Sequence, residues 1–312
     1  MPLFSALGQR LIQLIPVLIG ISIVSFLLVQ LSPGDPVRML LGDRATEEAV
    51  AQLRERYGLD RPLFEQYFIY ISNLLQGDLG RSVRYHLPVG QLILNFLPAT
   101  VFLIAYVVAI SVPATVVLAI IAARNRGRWP DQLIRSLAVV GMTLPVFWVA
   151  LMMSRLFGVE LGWFPVSGYG DSFLDHLHHL FLPAVSTSAW LIPLLLRNLR
   201  AALIEQTEAD YVTASRSKGL PEGYIFRRHV LANSILPTLN LLGVMIAFLI
   251  GSSVVVEIVY AVPGLGTLMV GSVIGRDYYV IQGLTLVYAL ATVIVSLTVD
   301  ILSTLVDPRV QL

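Results

Sequence analysis

The tightest grouping of chemistry-bearing side chains is Asp175, His176, His178 and His179, the one arrangement here whose residue types would suit a transition metal. Its spacing does not match H-E-x-x-H, and the chain has no cysteine to complete a thiolate set. The cluster therefore reads as a polar lead-in to an apolar helix, with a metal or haem site as the alternative. His86 and His229 are isolated. Lys218 is the only lysine, and no Gly-Lys pair occurs anywhere. The G-x-x-x-x-G-K-[ST] phosphate cradle is thus absent, so the chain carries no Walker-type nucleotide site of its own. No G-x-S-x-G is present and no histidine falls within an apolar stretch, which argues against an intramembrane hydrolase. No residue is assigned a catalytic, cofactor-binding or metal-ligating role. The remaining ionisable groups within or at the ends of apolar stretches are Arg155, Glu257 and Asp300. Arg155 can snorkel, and Asp300 is close enough to an interface to hydrate or pair. Glu257 reads either as a carboxylate snorkelling at the interface or as a gating or substrate-amine contact.

The elements that must position these groups are set by the solvent. Of 312 residues, 56% are hydrophobic and 13% charged, against roughly 45–50% and about 25% in an ordinary soluble domain. The mean hydropathy is +0.77. With 21 basic and 20 acidic residues the formal charge is +1, which leaves no polyelectrolyte surface to track nucleic acid. A membrane helix needs about 20 mostly apolar residues. Six stretches qualify: 11–31, 97–123, 133–157, 180–199, 234–260 and 280–305. The first is too long for a signal-peptide core, and no A-x-A site follows it, so it reads as a retained helix. The expected fold is an all-α integral membrane protein with six transmembrane helices, a long external loop and a short cytoplasmic helix.

Arginine placement sets the orientation. Arg124, Arg126, Arg128 and Arg135 mark one inner loop; Arg197, Arg200, Arg216, Lys218, Arg227 and Arg228 mark another. Segment 158–180 has no Lys or Arg and 261–279 only Arg276, so both face outward, and both termini lie inside. The 32–96 loop holds seven arginines, but loops of that length cross largely regardless of charge. It reads as two amphipathic helices. One is capped by Thr46, carries Ala49, Val50, Leu53 and Tyr57 on one face and stops at Gly58. The other begins at Asp60 with Pro62 in its first turn and runs to Gly77. Together they form either a cap over helix ends or a docking face for a soluble partner.

In the inner loop, Thr207 with Asp210 makes a capping-box-like start, acidic residues precede basic ones, and Gly219 and Pro221 end the element. The expectation is a helix over about 208–218, too polar to enter lipid. It either lies idle at the headgroups or inserts into a groove on a partner. On the other side, V-P-G-L-G (262–266) is a turn-forming run before an apolar segment, Leu268 to Ile274, that is too short to span. The polar residues Thr100, Ser111, Thr115, Thr143, Ser186, Thr187, Ser188, Asn240, Ser252 and Ser253 read mostly as bonds between neighbouring helices, with a solute path as the alternative. No internal repeat of the kind that builds secondary transporters is visible.

At this loop the stretch ADYVTASRSKGLPEGYIFRRHVLANSILP (209–237) resembles the EAA loop of inner-membrane permease subunits of ATP-binding-cassette importers, in the dipeptide and oligopeptide branch. The motif glycine is Gly219. The E-A-A positions fall on Thr213, Ala214 and Ser215, without the glutamate, and Ile235-Leu236-Pro237 lies further from the glycine than in the general motif. LSPGDPV (31–37), YGLDRPLFEQY (57–67), GDLGRSV (77–83), LPAT (97–100), GWFPVSG (162–168), VVEIVYAVPGLG (255–266) and DPRV (307–310) resemble family landmarks in the same order.

The resemblance implies the type I importer permease fold in a bacterial plasma membrane. The implied divisions are an N-terminal tail and first helix (1–31), an external helical loop (32–96), a five-helix core (97–305) containing the coupling loop 200–237, and a cytoplasmic tail (306–312). It further implies three kinds of protein partner, besides membrane lipid. They are a second permease chain, homologous but different; two cytoplasmic ATPase subunits that carry ATP and Mg; and an external solute-binding protein. Asp210, Tyr211, Thr213, Ala214, Ser215, Arg216, Lys218, Gly219 and Leu220 would contact an ATPase subunit, and Glu257, Pro263 and Gly264 would lie at the external mouth. The implied cargo is dipeptides or oligopeptides, with nickel chelates, glutathione or another small solute as alternatives.

Overall fold

The computed structural model describes residues 3–31, 46–57 and 60–306, and these are helical apart from short connections. The chain divides into two compact units, residues 1–98 with 264–293 and residues 99–263 with 294–312.

In the first unit, α1 (Leu3–Leu31) meets α3 (Leu63–Leu75). Phe26 stands edge-on to Tyr67 at 5.5 Å, Ser22 Oγ lies 2.8 Å from the Tyr67 hydroxyl, and Gln30 Nε2 donates to Gln66 Oε1 at 2.6 Å. Between α1 and α3 comes α2 (Glu47–Tyr57), preceded by Thr46 as expected. Gly58, the expected stop, lies outside the described residues. So do residues 32–45 and 307–312, and with them most of the 31–37 landmark and the closing DPRV. Helix α3 begins at Leu63, three residues later than expected, because Pro62 sits outside the helix as its N-cap rather than in the first turn. Gly77, at φ +80°, terminates it. The unit's core joins Val89, Leu92 and Ile93 at the start of α4 (Val89–Arg124) to Leu265 and Leu268 of α12 (Leu265–Ile274) and to Val280 and Leu284 of α13 (Tyr278–Val306). Close packing there depends on Gly283, where a Cβ would lie 2.7 Å from Val89 Cγ1.

The second unit is built on α7 (Phe173–Glu208), a 36-residue helix whose most apolar stretch is 61% buried. Against it pack α5 (Trp129–Thr143), α6 (Val146–Met153) and α10 (Ala232–Ser252). Helix α6 continues as a π-helical stretch, Ser154–Glu160. A second π-helical stretch, Phe226–Leu231, joins α9 (Glu222–Ile225) to α10. Leu180, Leu182, Leu191 and Leu195 of α7 bury against Leu103, Val107, Leu249 and Tyr260. Gly243 of α10 allows α13 to approach so closely that a Cβ would sit 2.5 Å from Val299 Cγ2.

Among the described residues four helices are long and apolar enough to cross a membrane: Val89–Arg124, Phe173–Glu208, Glu222–Ser252 and Tyr278–Thr304. The expected third span, 133–157, differs. Residues Trp129–Thr143 and Val146–Glu160 form two helices bent by 101° at Leu144–Pro145. Leu144 is extended (φ −75°, ψ 129°), as the residue before proline prefers, and Pro145 has no N–H to continue the helical ladder. Taken as one span, the pair makes a fifth. Among residues with described side chains, Ile15–Leu31 and Leu265–Ile274 are shorter apolar helices. The expected fifth span, 234–260, ends at Ser252 and is followed by a separate α11 (Val254–Val259).

Candidate functional site

The loop between α7 and α10 forms a short helix, here termed the lever. Helix α7 ends at Glu208, Ala209 is extended (φ −70°, ψ 147°), and α8 runs Asp210–Ser217. Thr207 is not its cap: its hydroxyl donates back to the Leu203 carbonyl at 2.6 Å because α7 continues through it. The C-terminal signal behaves as expected. Gly219 takes φ +77°, with Gly219 N–H donating to Arg216 O at 2.9 Å and Leu220 N–H to Ser215 O at 3.3 Å. These two bonds close a Schellman turn. Val212, fully buried, anchors α8 among Leu199, Leu203, Ile225 and Val230. Asp210, Tyr211, Thr213, Ala214, Arg216, Lys218, Gly219 and Leu220 are exposed and Ser215 is half-buried, so the residues singled out in sequence share one outward surface.

Polar ties hold this surface in place. Arg216 donates through Nε to Glu222 Oε1 at 2.7 Å and through Nη2 to Oε2 at 3.3 Å, bridging the turn. The Glu222 carboxylate raises the guanidinium's pKa above its ordinary value, so Arg216 stays a cation at every working pH. Tyr211 donates to Gln206 on α7 and accepts from Asn233 Nδ2 of α10 at 3.2 Å. Arg126 pairs with Glu208. Above the lever, Asp131 of α5, 1% exposed, receives Arg200 of α7 through two bonds of 2.7 Å each, the Gly127 N–H at 2.9 Å, and Arg135 at 3.6 Å. Sequence reasoning missed this clamp. Its signal was an acid set among Arg128 and Arg135 in a helix's first turn.

At Glu257 the snorkelling alternative fails. The side chain is fully buried on α11, and Oε1 accepts from Thr100 Oγ1 of α4 at 2.8 Å and from Ser253 Oγ at 3.0 Å. Below it, Tyr260 donates to the Ala150 carbonyl at 2.9 Å and meets Ser186 Oγ at 3.2 Å; Ser111 and Ser188 bond at 2.9 Å. Thr100, Ser111, Ser186 and Ser188 thus tie helices together, as does Asn240 with Ser303 at 2.8 Å, whereas Thr143 and Thr187 bond back to carbonyls of their own helices. Pro263 is exposed and Gly264, buried, caps α12.

The histidines are each engaged separately. His176 Nδ1 lies 2.8 Å from Tyr169 O with its ring stacked on Tyr169, His178 Nε2 lies 3.0 Å from Trp163 O, and His179 Nδ1 lies 2.9 Å from Asp175 O. Ser172 and Asp175 cap α7 reciprocally. Among the described residues no group of three or more His, Cys, Asp or Glu is placed to hold a metal ion. Arg155 pairs with Glu160 at 2.9 Å on the surface, and Asp300 is half-buried on α13.

These elements define an all-α, multi-pass membrane protein with a short polar helix between two long ones. Residues 115–312 match the family model described as "Binding-protein-dependent transport system inner membrane component", and residues 3–119 match its N-terminal companion. The chain belongs to this family: it is an inner-membrane permease subunit of an ABC importer. A Brucella abortus (strain 2308) protein named as a peptide transport system permease is 39% identical over 306 residues, covering 97% of this chain and 98% of that one. The glutathione transport system permease protein GsiC of Escherichia coli (strain K12) is 36% identical, covering 97% of each. In fold the chain resembles the inward-facing methionine ABC transporter MetNI (TM-score 0.55, 17% identity, 70% of this chain and 97% of that one). It also resembles an amino acid ABC transporter solved with histidines (TM-score 0.51, 15% identity, 70% of this chain and 94% of that one).

Proposed function

We propose that this subunit forms, with a second and homologous permease chain, the pathway for peptide-like solutes handed over by an external binding protein. Dipeptides and oligopeptides are the first expectation and glutathione the second, since relatives named for each match nearly the full chain. Six spans, with α1 and the bent pair each crossing once, put both termini in the cytoplasm. In this reading residues 32–96 cap the outer side and 97–305 make the core.

The observation that carries the mechanism is the lever. Asp210, Tyr211, Thr213, Ala214, Ser215, Arg216, Lys218, Gly219 and Leu220 dock in a groove of an ATPase subunit, which holds ATP and Mg. The lever is rooted by Val212 and tied by Tyr211 and Arg216, so closure of the ATPase pair moves α7 and α10 as rigid bodies. At the outer end, the Thr100–Glu257 bond holds α4 to α11 below the turn of Pro263 and Gly264. Its breaking and remaking accompanies opening of the mouth.

The test is uptake of labelled dipeptide and glutathione into proteoliposomes. Transport should require the second permease, both ATPases, the binding protein and ATP. Accumulation by this chain alone under an ion gradient would overturn the proposal.

A further inference from the structure

Several arginines of the second unit pair with carboxylates: Arg200 and Arg135 share Asp131, Arg126 meets Glu208, and Arg216 meets Glu222. Among the described residues Arg124, Arg227 and Arg228 pair with no carboxylate, and together with Gly223 and Tyr224 these three line an open cleft of about 570 Å³. Unbalanced cations repel one another, so their convergence favours an anion in the space between. The cleft is also shaped in advance. Arg124 is held with its guanidinium 4.3 Å from the Phe226 ring centroid, and a Cβ at Gly223 would meet nothing within 4 Å, so the floor is open. The π-helical stretch Phe226–Leu231 places Arg227 and Arg228 consecutively on its first turn.

The depth of the cleft identifies the anion. Arg124 is the last residue of the apolar helix α4, and Val117 and Ile121, two turns and one turn before it on the same face, are 55% and 40% exposed. That stripe is what acyl chains would cover. After a tight turn closed by Arg128 N–H to Asn125 O at 2.9 Å, Trp129 is 74% exposed at the start of α5, and an exposed tryptophan at a span end sits at headgroup level. We infer that Arg124, Arg227, Arg228 and Tyr224 form a binding site for the phosphate of an anionic phospholipid headgroup, its chains lying along Val117 and Ile121. A headgroup bearing its own ammonium would meet repulsion from the three guanidinium groups and bind less well.

The inference is independent of cargo and of coupling, and it is tested on the purified, full importer complex in detergent. Native mass spectrometry follows retention of phosphatidylglycerol, with phosphatidylcholine and inorganic phosphate as the other probes. Each arginine near an anionic lipid contributes about fivefold in affinity, so R227Q/R228Q should weaken phosphatidylglycerol retention roughly 25-fold. Both side chains are exposed, so the folded complex should persist. Arg128→Gln, outside the cleft, should leave retention unchanged. Arg124→Lys, which keeps the charge but loses the planar contact with Phe226, should fall between. Unchanged retention in R227Q/R228Q would overturn the inference. So would equal retention of phosphatidylcholine, displacement of the lipid by millimolar inorganic phosphate, or cross-links from positions 227 and 228 to an ATPase acidic surface with no lipid bound.

Discussion

Replacing Asp131 by asparagine tests how the lever is anchored. The substitution keeps shape and removes one charge, leaving the Arg200 guanidinium, 18% exposed, facing a neutral amide across two bonds now 2.7 Å long. Breaking a fully buried pair by removing one partner costs about 3–5 kcal/mol, most of it the penalty of stranding the other charge. Because Arg200 keeps some access to water, and Arg135 no longer has a carboxylate to approach, the expected cost is at the lower end, about 3 kcal/mol. Removing both charges with D131L/R200L should recover part of that loss, since no charge is then left stranded and only the exposed Gly127 N–H loses its acceptor to water. Thermal unfolding of the detergent-solubilised complex reads the stability, and ATP-driven uptake in proteoliposomes reads the coupling. D131N should lower both, while the double variant should regain stability more than uptake, because α5 and α7 would be packed but no longer clamped. If D131N unfolds within about 0.5 kcal/mol of the parent, the size expected of an ordinary surface change, or if the double variant is no better than the single one, the reasoning about this clamp is wrong.

Three further outcomes are expected. Gly219→Val forces a β-branched residue into φ +77° and should cost about 1–2 kcal/mol in the turn and abolish uptake while ATP hydrolysis persists. Gly219→Asn, which tolerates that region, should retain transport, and equal uptake by the two variants would refute the backbone argument. Gly243→Ala places a methyl 2.5 Å from Val299 Cγ2 and should destabilise by about 1–3 kcal/mol in a thermal scan, with G243A/V299A recovering most of it; no rescue would mean the clash lies elsewhere. Thr100→Val removes one donor to the buried Glu257 and should slow uptake, whereas Thr100→Ser should restore it; parental rates in Thr100→Val would remove the α4–α11 tie from the mechanism.

What could be read in the sequence followed from local chemistry. Gly219 and Pro221 mark the end of the lever because a left-handed residue and a missing N–H act within one turn, and the Schellman bonds sit where those residues put them. Thr207 misled because a hydroxyl can cap a new helix or bond back four residues, and only the continuation of α7 to Glu208 decides between them. The third span looked continuous because hydropathy sums side chains and is blind to the backbone donor that Pro145 lacks. Glu257 looked interfacial for a related reason: its partner Thr100 is 157 residues away, and only the folded chain brings the two within a hydrogen bond. The Asp131–Arg200 clamp was hidden in the same way, its members standing 69 positions apart.

The sharp turn at Leu144–Pro145 limits how force can pass through the subunit. A column folded through 101° buckles when pushed along its length, so a thrust entering α5 at Trp129 is not delivered end-on to α6. Both segments instead lean on α7, which runs unbroken for 36 residues from the capped turn at Ser172 to the root of the lever. Displacement of one mast therefore carries both legs of the bend at once, and the subunit has a single axle where its hydropathy suggested a row of equal staves.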